Sequence, residues 1–176
     1  GEAAIVYCEQ CDYAANVEKA ELKVLDGLAE EMQALTLVDT PNQKTIAEVT
    51  DFLKIKADKL IKAVAYQTEK GLVLALIRGD HEANDVKIQN IVDCINIEMA
   101  SEELLGANNL ISGYLGPIGL ENVIIIADNT VMKMFNAVCG GNQEGKHFIN
   151  VNPSRDCPKL LQCDIRLIQQ SDPCPK

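Results

Sequence analysis

The hydrophobic pattern changes period several times along the chain, and each change marks a predicted element. From Ala14 to Gln33 the apolar residues Val17, Ala20, Val24 and Leu28 recur at helical spacing with acids opposite, which predicts a helix that Gly27 weakens. Asp39–Asn42 is a cluster of turn formers. Thr45-Ile-Ala-Glu48 has the form of a capping box, and Ile46, Val49 and Leu53 give the helix it opens one apolar face. Leu60–Tyr66 and Leu72–Arg78 are β-rich runs joined across Thr68–Gly71, the pattern of a hairpin. Helical spacing returns over Asn84–Val92 and briefly over Ser101–Leu105. Gly113–Pro117 reads as a loop. Val123–Ile126, β-branched and continuous, reads as a strand buried on both faces that delivers Asp128 at its end. A second glycine-rich turn, Gly140–Gly145, precedes a strand over His147–Val151.

Helices and strands are interspersed without a regular βαβ rhythm, which predicts an α/β chain of mixed, α+β-like character and a mixed sheet, not a doubly wound parallel one. The turn cluster marks the boundary between a connecting segment (1–40) and the domain proper.

Composition narrows the class. With 176 residues, 47% hydrophobic and 24% charged, the chain fits one globular domain with an appendage and excludes disorder, collagen and a disulfide scaffold. No apolar run reaches the roughly 18 residues of a membrane span, and the first residues lack the basic and apolar regions of a signal peptide. The seven cysteines are therefore expected to be reduced thiols or metal ligands, and the compartment cytoplasmic. The net charge of −10 is uneven: residues 1–40 hold nine acids against two lysines, while the remainder is close to neutral. An acidic chain with 4% aromatics and no Trp neither grips duplex nucleic acid over its whole surface nor offers a base-stacking platform. Any nucleic-acid contact is expected to be small and local.

Several groups are candidates for chemistry. Arg78-Gly-Asp-His-Glu-Ala-Asn-Asp-Val-Lys87 leaves a strand and enters a helix; it is either a functional loop or an exposed turn with an Asn cap. His81 and His147 with Asp80 and Asp128 are a conceivable metal set, although their spacing gives no support. Lys62 sits among apolar residues at a strand's start, either snorkelling or functional. The two glycine loops can bring backbone N–H groups close to a ligand oxygen, or be plain turns; neither has the setting of a phosphate loop. No serine lies in a nucleophile setting. Cys8-Glu-Gln-Cys11 has metal-ligand spacing but is half a site, which Cys174 and a further cysteine in a longer parent chain would complete for zinc. Cys94 and Cys139 read as small buried hydrophobes, and Cys157 and Cys163 have no assigned role.

Taken together and in order, Tyr13–Glu21, Lys62, Arg78–Lys87, Gly113-x-x-Gly-Pro117, Asp128-x-Thr-Val131, Gly140-x-Asn-x-x-Gly-x-His147 and Asn152-Pro-Ser-Arg-Asp156 resemble the editing domain inserted in bacterial prolyl-tRNA synthetases. The resemblance runs from about Tyr13 to Pro173, and Asp164-Ile-Arg166 with Asp172-Pro173 resembles the return into the synthetase body. It further divides the domain proper into a core (41–156) and a C-terminal return segment (157–176). It implies a central, largely antiparallel, barrel-like sheet surrounded by helices. The implied activity is hydrolysis of mischarged alanyl-tRNA(Pro) without a cofactor. The implied partners are the tRNA(Pro) acceptor 3′ end and the rest of the synthetase, which alone would handle ATP and proline, with no membrane.

On this resemblance Lys62 contacts the phosphate of the terminal nucleotide. Gly113 and its loop, with Leu115, Gly116 and Pro117, polarise the ester carbonyl. His147 shapes a small amino-acid pocket that Asp128 and the turn Gly140, Gly141 and Asn142 also line. Gly79, Asp80, His81, Asn84 and Lys87 are expected at the substrate. A ribose hydroxyl of the terminal adenosine is expected to help activate the attacking water, and proline is excluded by size. Three positions depart from the family's habit: Gly141 for Ala, Asn129 for Arg and Tyr114 for Ser. Three rival readings are a tRNA 3′-end module that binds without catalysis, a metal-dependent hydrolase, and a deacylase for cysteine- or serine-charged tRNA that Gly141 would admit.

Overall fold

The computed structural model describes residues 2–176. In chain order it contains β1 (Ile5–Tyr7), β2 (Ala14–Asn16), β3 (Thr36–Asp39), α1 (Ile46–Leu53), β4 (Ile61–Thr68), β5 (Gly71–Arg78), α2 (Asp85–Val92), β6 (Ile97–Met99), α3 (Glu102–Ala107), β7 (Ile124–Asp128), β8 (Ala137–Gly140), β9 (Lys146–Val151), α4 (Pro153–Asp156) and β10 (Leu161–Cys163). They form a five-stranded sheet in the order β10-β7-β5-β4-β6, a three-stranded sheet β3-β9-β8 and a small β1-β2 hairpin.

The large sheet is mixed, as the absence of a βαβ rhythm predicts. β4 pairs antiparallel with β5 and β6, whereas β7 runs parallel to both β5 and β10. The three-stranded sheet is antiparallel. The two sheets meet where Leu60 bridges Val138, but no closed barrel forms among the described residues, so the barrel-like expectation is corrected to two abutting sheets.

Strand β5 shows how the core is organised. Leu72, Leu74 and Leu76 pack on one face with Ile61, Ala65, Ile125 and Ala127, towards β8 and β9. Val73, Ala75 and Ile77 pack on the other with Tyr66, Ile126, Ile88 of α2 and Ile165. A strand buried on both faces carries apolar residues in succession, which is why β5 and β7 read as continuous runs. Each fully buried Leu or Ile contributes about 1.5–3 kcal/mol of transfer free energy.

The capping box at α1 forms as its spacing predicts. Thr45 Oγ1 accepts from the Glu48 N–H, and Glu48 accepts in return from the Thr45 N–H at 2.8 Å. Asn84 caps α2, accepting from Val86 and Lys87.

The helix expected over residues 14–33 does not form. Its first residues make β2, and beyond a turn the chain runs irregularly to β3. Of the apolar stripe Ala20 is buried and Val17 and Val24 are half-buried, but Leu28 stays 91% exposed, so no continuous surface covers a helical face. The segment instead donates its acids and carbonyls to the body. Asp26 pairs with Lys133 and Glu30 with Lys59, while Ala20, Glu31 and Gln33 carbonyls accept from Lys87, Asn136 and Arg155. Both flanking segments join the sheets: β3 pairs along β9, and β10 lies beside β7.

Candidate active site

The site is assembled where the start of β4, the start of α1 and the two glycine loops converge. Lys44, Thr45, Ile46, Val49, Leu60, Ile61, Lys62, Ala63, Gly113, Leu115, Gly140 and His147 line a small cavity of about 100 Å³. Of the residues expected from sequence, the structure brings together Lys62, Gly113, Leu115, Gly140 and His147 here.

Lys62 lies opposite Ile77 in the β4–β5 ladder. Its side chain is 20% exposed, and its Nζ lies 3.1 Å from Oε1 of Glu82, which is 74% exposed. The lysine is therefore seated in the wall with its charge held by a solvent-facing partner.

The loop 113–117 is locked to the 140–142 turn by close backbone approach. A Cβ on Gly116 would run into the Gly140 carbonyl, and one on Gly140 into Tyr114 and Leu115 backbone atoms, so both positions require glycine. Gly113 adopts φ +84°, a left-handed conformation that favours glycine. Asn142 stitches the two turns together: its Oδ1 accepts from Gly116 N–H at 2.8 Å, and its Nδ2 donates to the Gly116 and Ile118 carbonyls. This arrangement decides which N–H groups are free. Gly116 is committed to Asn142, Tyr114 N–H donates to the Ile111 carbonyl, and Pro117 has no N–H. Among the described residues, only the Gly113 and Leu115 N–H groups of this loop's lining lack a protein acceptor.

His147 is 4% exposed and sits between Thr40 and Tyr114. Its Nδ1 lies 2.6 Å from Thr40 Oγ1, and its ring meets the buried Tyr114 ring edge to face at 5.6 Å. Burial lowers its pKa below the ordinary imidazole value, so it is neutral at pH 7. Nε2 makes no protein hydrogen bond among the described residues. Thr40, Lys44 and Tyr114 were not anticipated as part of this arrangement; Tyr114 stood out only as a departure, and it fills the space behind His147.

Other expected residues lie elsewhere. Asp128 is buried, but both its carboxylate oxygens are occupied: Oδ2 by the Thr130 N–H and hydroxyl, Oδ1 by the N–H groups of Ile165 and Arg166. It anchors the C-terminal segment and does not line the cavity. The Arg78–Lys87 cluster does the same. Arg78 holds Asp80 through two hydrogen bonds, Asp80 and Glu82 carbonyls accept from Gln169 and Leu167, and Asn84 caps α2. Lys87, only 7% exposed, bonds Asp164 at 2.8 Å and the carbonyls of Ala20 and Arg166. Gly79 passes so close to the Ala57 carbonyl that a Cβ would approach within 2.5 Å. His81 is buried against Arg78, with Nδ1 unpartnered. His81, Asp80, Asp128 and His147 do not gather into a ligand set; among the described residues the one such cluster is Cys8, Cys11 and Cys174.

Two departures also find places. A Cβ on Gly141 would meet Leu37 Cδ1 (2.9 Å) and the Lys146 carbonyl (3.0 Å), residues that do not line the cavity around Lys62. Asn129 ties β7 to β10 through Cys163 and Gln162.

Comparison with known proteins agrees with this geometry. Residues 40–157 match the aminoacyl-tRNA editing domain family. The chain is 45% identical over its whole length to a proline–tRNA ligase of Desulforamulus reducens, covering 32% of it. It is 48% identical over 99% of its length to that of Halothermothrix orenii, covering 31%. The chain thus spans about a third of the length of the curated relatives it matches. A solved structure described as a candidate trans-editing enzyme for prolyl tRNA synthetase shares the fold, with TM-score 0.66 at 18% identity over 75% of this chain and 86% of that one. No helix is long and apolar enough to cross a membrane. With a match over most of its length and the glycine loops, lysine and histidine drawn around one cavity, the chain belongs to the aminoacyl-tRNA editing domain family.

Proposed function

We propose that this chain hydrolyses the ester of alanyl-tRNA(Pro), acting in the cytoplasm as the editing part of a proline–tRNA ligase. The observation that carries the proposal is that one cavity of about 100 Å³ is lined by Lys62, by Gly113 and Leu115, whose N–H groups have no protein acceptor among the described residues, and by neutral His147. These are the parts of a site that positions an ester without attacking it covalently.

In this reading the phosphodiester of the 3′-terminal nucleotide displaces Glu82 from Lys62, which costs little because exposed ion pairs contribute only about 0–1 kcal/mol. The ester carbonyl oxygen turns towards the Gly113 and Leu115 N–H groups, which stabilise the oxyanion as water adds to the carbonyl carbon. Collapse breaks the bond to the ribose oxygen, which takes up the proton from the attacking water; alanine and an intact tRNA 3′ end are the products. His147, carrying one ring proton, offers Nε2 to the aminoacyl group and with Tyr114 closes the far wall. On this reading discrimination against proline is steric: the small aminoacyl pocket takes a methyl side chain and refuses the bulkier pyrrolidine ring. Arg78, Asp80, Asn84 and Lys87 contribute by holding the scaffold. The test is alanine release from alanyl-tRNA(Pro) by the purified chain, with Lys62→Ala as the control: release that the substitution abolishes supports the proposal, and release at the spontaneous rate refutes it for this chain.

A further inference from the structure

Three cysteines meet at a place that the cavity around Lys62 does not involve. β1 and β2 form an antiparallel hairpin, Ile5 opposite Asn16 and Tyr7 opposite Ala14. Its turn is Cys8-Glu-Gln-Cys11, closed by the Cys8 N–H donating to the Tyr13 carbonyl at 2.9 Å. The C-terminal segment, secured by the paired hydrogen bonds between Arg166 and Asp172, brings Cys174 back to this turn. The three Sγ atoms all lie within 4.8 Å of one another, Cys11 and Cys174 at 3.6 Å.

This spacing is that of neighbouring ligands around one ion. Thiolates at about 2.3 Å from a tetrahedral zinc stand about 3.8 Å apart. A second, independent feature points the same way. The Gln10 N–H is directed at Cys8 Sγ and the Tyr13 N–H at Cys11 Sγ, each at 3.4 Å. Main-chain donors aimed at both sulfurs of a Cys-x-x-Cys turn stabilise thiolate charge and orient the sulfurs, as outer-shell groups do at metal centres.

We propose that Cys8, Cys11 and Cys174 bind one zinc ion through three thiolates, forming a structural site that clasps the β1–β2 hairpin to the C-terminal segment. The fourth coordination position falls to water or to a donor outside the trio. The two parts joined are 163 residues apart in sequence, so the ion closes a long loop and its binding free energy adds to the stability of the joined segments. This proposal is independent of the esterase reading, because no residue of the trio touches that cavity.

The test is metal retention by the chain itself. Reduced protein is loaded with Zn(II) or Co(II), excess ion is removed by gel filtration, and metal per chain is measured. About one zinc ion per chain is expected, and the cobalt form should show intense visible bands of a tetrahedral ion with thiolate-to-metal charge transfer in the near ultraviolet. Cys11→Ser and Cys174→Ser should each weaken retention at least about tenfold, while Cys163→Ser retains the ion. The cobalt spectrum of the unaltered chain is read without any variant, so a misfolded variant cannot imitate the result. Negligible metal in the reconstituted chain, a spectrum of an octahedral oxygen-ligated ion, or full retention with all three cysteines replaced would each overturn the proposal.

Discussion

Lys62 Nζ and Glu82 Oε1 stand 3.1 Å apart at the rim of the cavity, one side chain mostly enclosed and the other mostly in solvent. The asymmetry makes Glu82 a removable partner. On the proposed reading a substrate phosphodiester takes its place, because it is delivered by the rest of the bound 3′ end to a lysine already held in position. Glu82→Gln should therefore leave the single-turnover rate at saturation unchanged and tighten apparent substrate binding by about two- to fivefold at low salt, an effect that fades as ionic strength rises. Lys62→Ala should weaken binding far more. Titrating deacylation rate against chain concentration at two salt concentrations checks both.

Asn142 should matter more for the site than any titratable residue of the Arg78–Lys87 cluster. Its side chain holds Gly116 and Ile118 by three hydrogen bonds. Asn142→Ala should cost about 1–3 kcal/mol in urea unfolding and depress deacylation by a larger factor than it weakens binding, because the Leu115 and Gly113 donors lose their placement.

Gly141→Ala restores the residue type expected at that position by resemblance, yet it should not tighten selectivity. Its Cβ would press on Leu37 and the Lys146 carbonyl. A loss of about 1 kcal/mol in stability is expected, with the preference among alanyl, seryl and cysteinyl esters unchanged. Stability from denaturant curves and rates on the three esters separate the effects.

Lys87→Met should destabilise the chain by about 3 kcal/mol while leaving saturating activity near its original value at a temperature where the fold persists. The lysine is buried with Asp164 and ties the leader and C-terminal segments to α2, but does not reach the cavity. A fall in activity without a fall in unfolding midpoint would return it to the substrate.

Stability should decline on acidification through the histidine range. Burial lowers the pKa of His147, and burial followed by the neighbouring Arg166 and Arg78 charges lowers that of His81. A base whose folded pKa is depressed binds fewer protons folded than unfolded, so its contribution is complete above the ordinary value of 6.5 and is lost as pH falls below it towards the folded pKa. Urea midpoints should drop between pH 7 and 5, and His147→Gln should reduce that slope. A midpoint independent of pH there would show that the imidazoles titrate normally.

How much of this was legible in the sequence depended on whether local signals carried the information. The capping box at Thr45, the Asn84 cap, the hairpin Ile61–Arg78 and the buried run leading to Asp128 announced themselves because a cap or an uninterrupted apolar run has a local cause. The short strands β3, β8 and β10 did not, since three or four residues hold no period and their pairing is decided by distant partners. The false helix over 14–33 had the correct spacing, but its stripe is covered only in part and the segment is tied to the body residue by residue through tertiary hydrogen bonds and ion pairs. At the site, the resemblance pointed to Lys62, the glycine loop and His147, which the fold gathers around one cavity. It also pointed to Asp128 and Lys87, polar groups whose position in the chain suggested function and whose hydrogen bonds show them holding segments together. Distinguishing the two kinds requires knowing where each carboxylate and ammonium spends its hydrogen bonds.

The central claim is that a cavity built from Lys62, Leu115 and His147 selects a small aminoacyl ester by size. The most direct measurement compares single-turnover deacylation of alanyl-tRNA(Pro) and prolyl-tRNA(Pro) by the same preparation. Hydrolysis of the alanyl ester is expected to be at least about a hundredfold faster, with the prolyl ester remaining near its spontaneous rate. Equal rates on the two esters, or faster loss of proline, would contradict it.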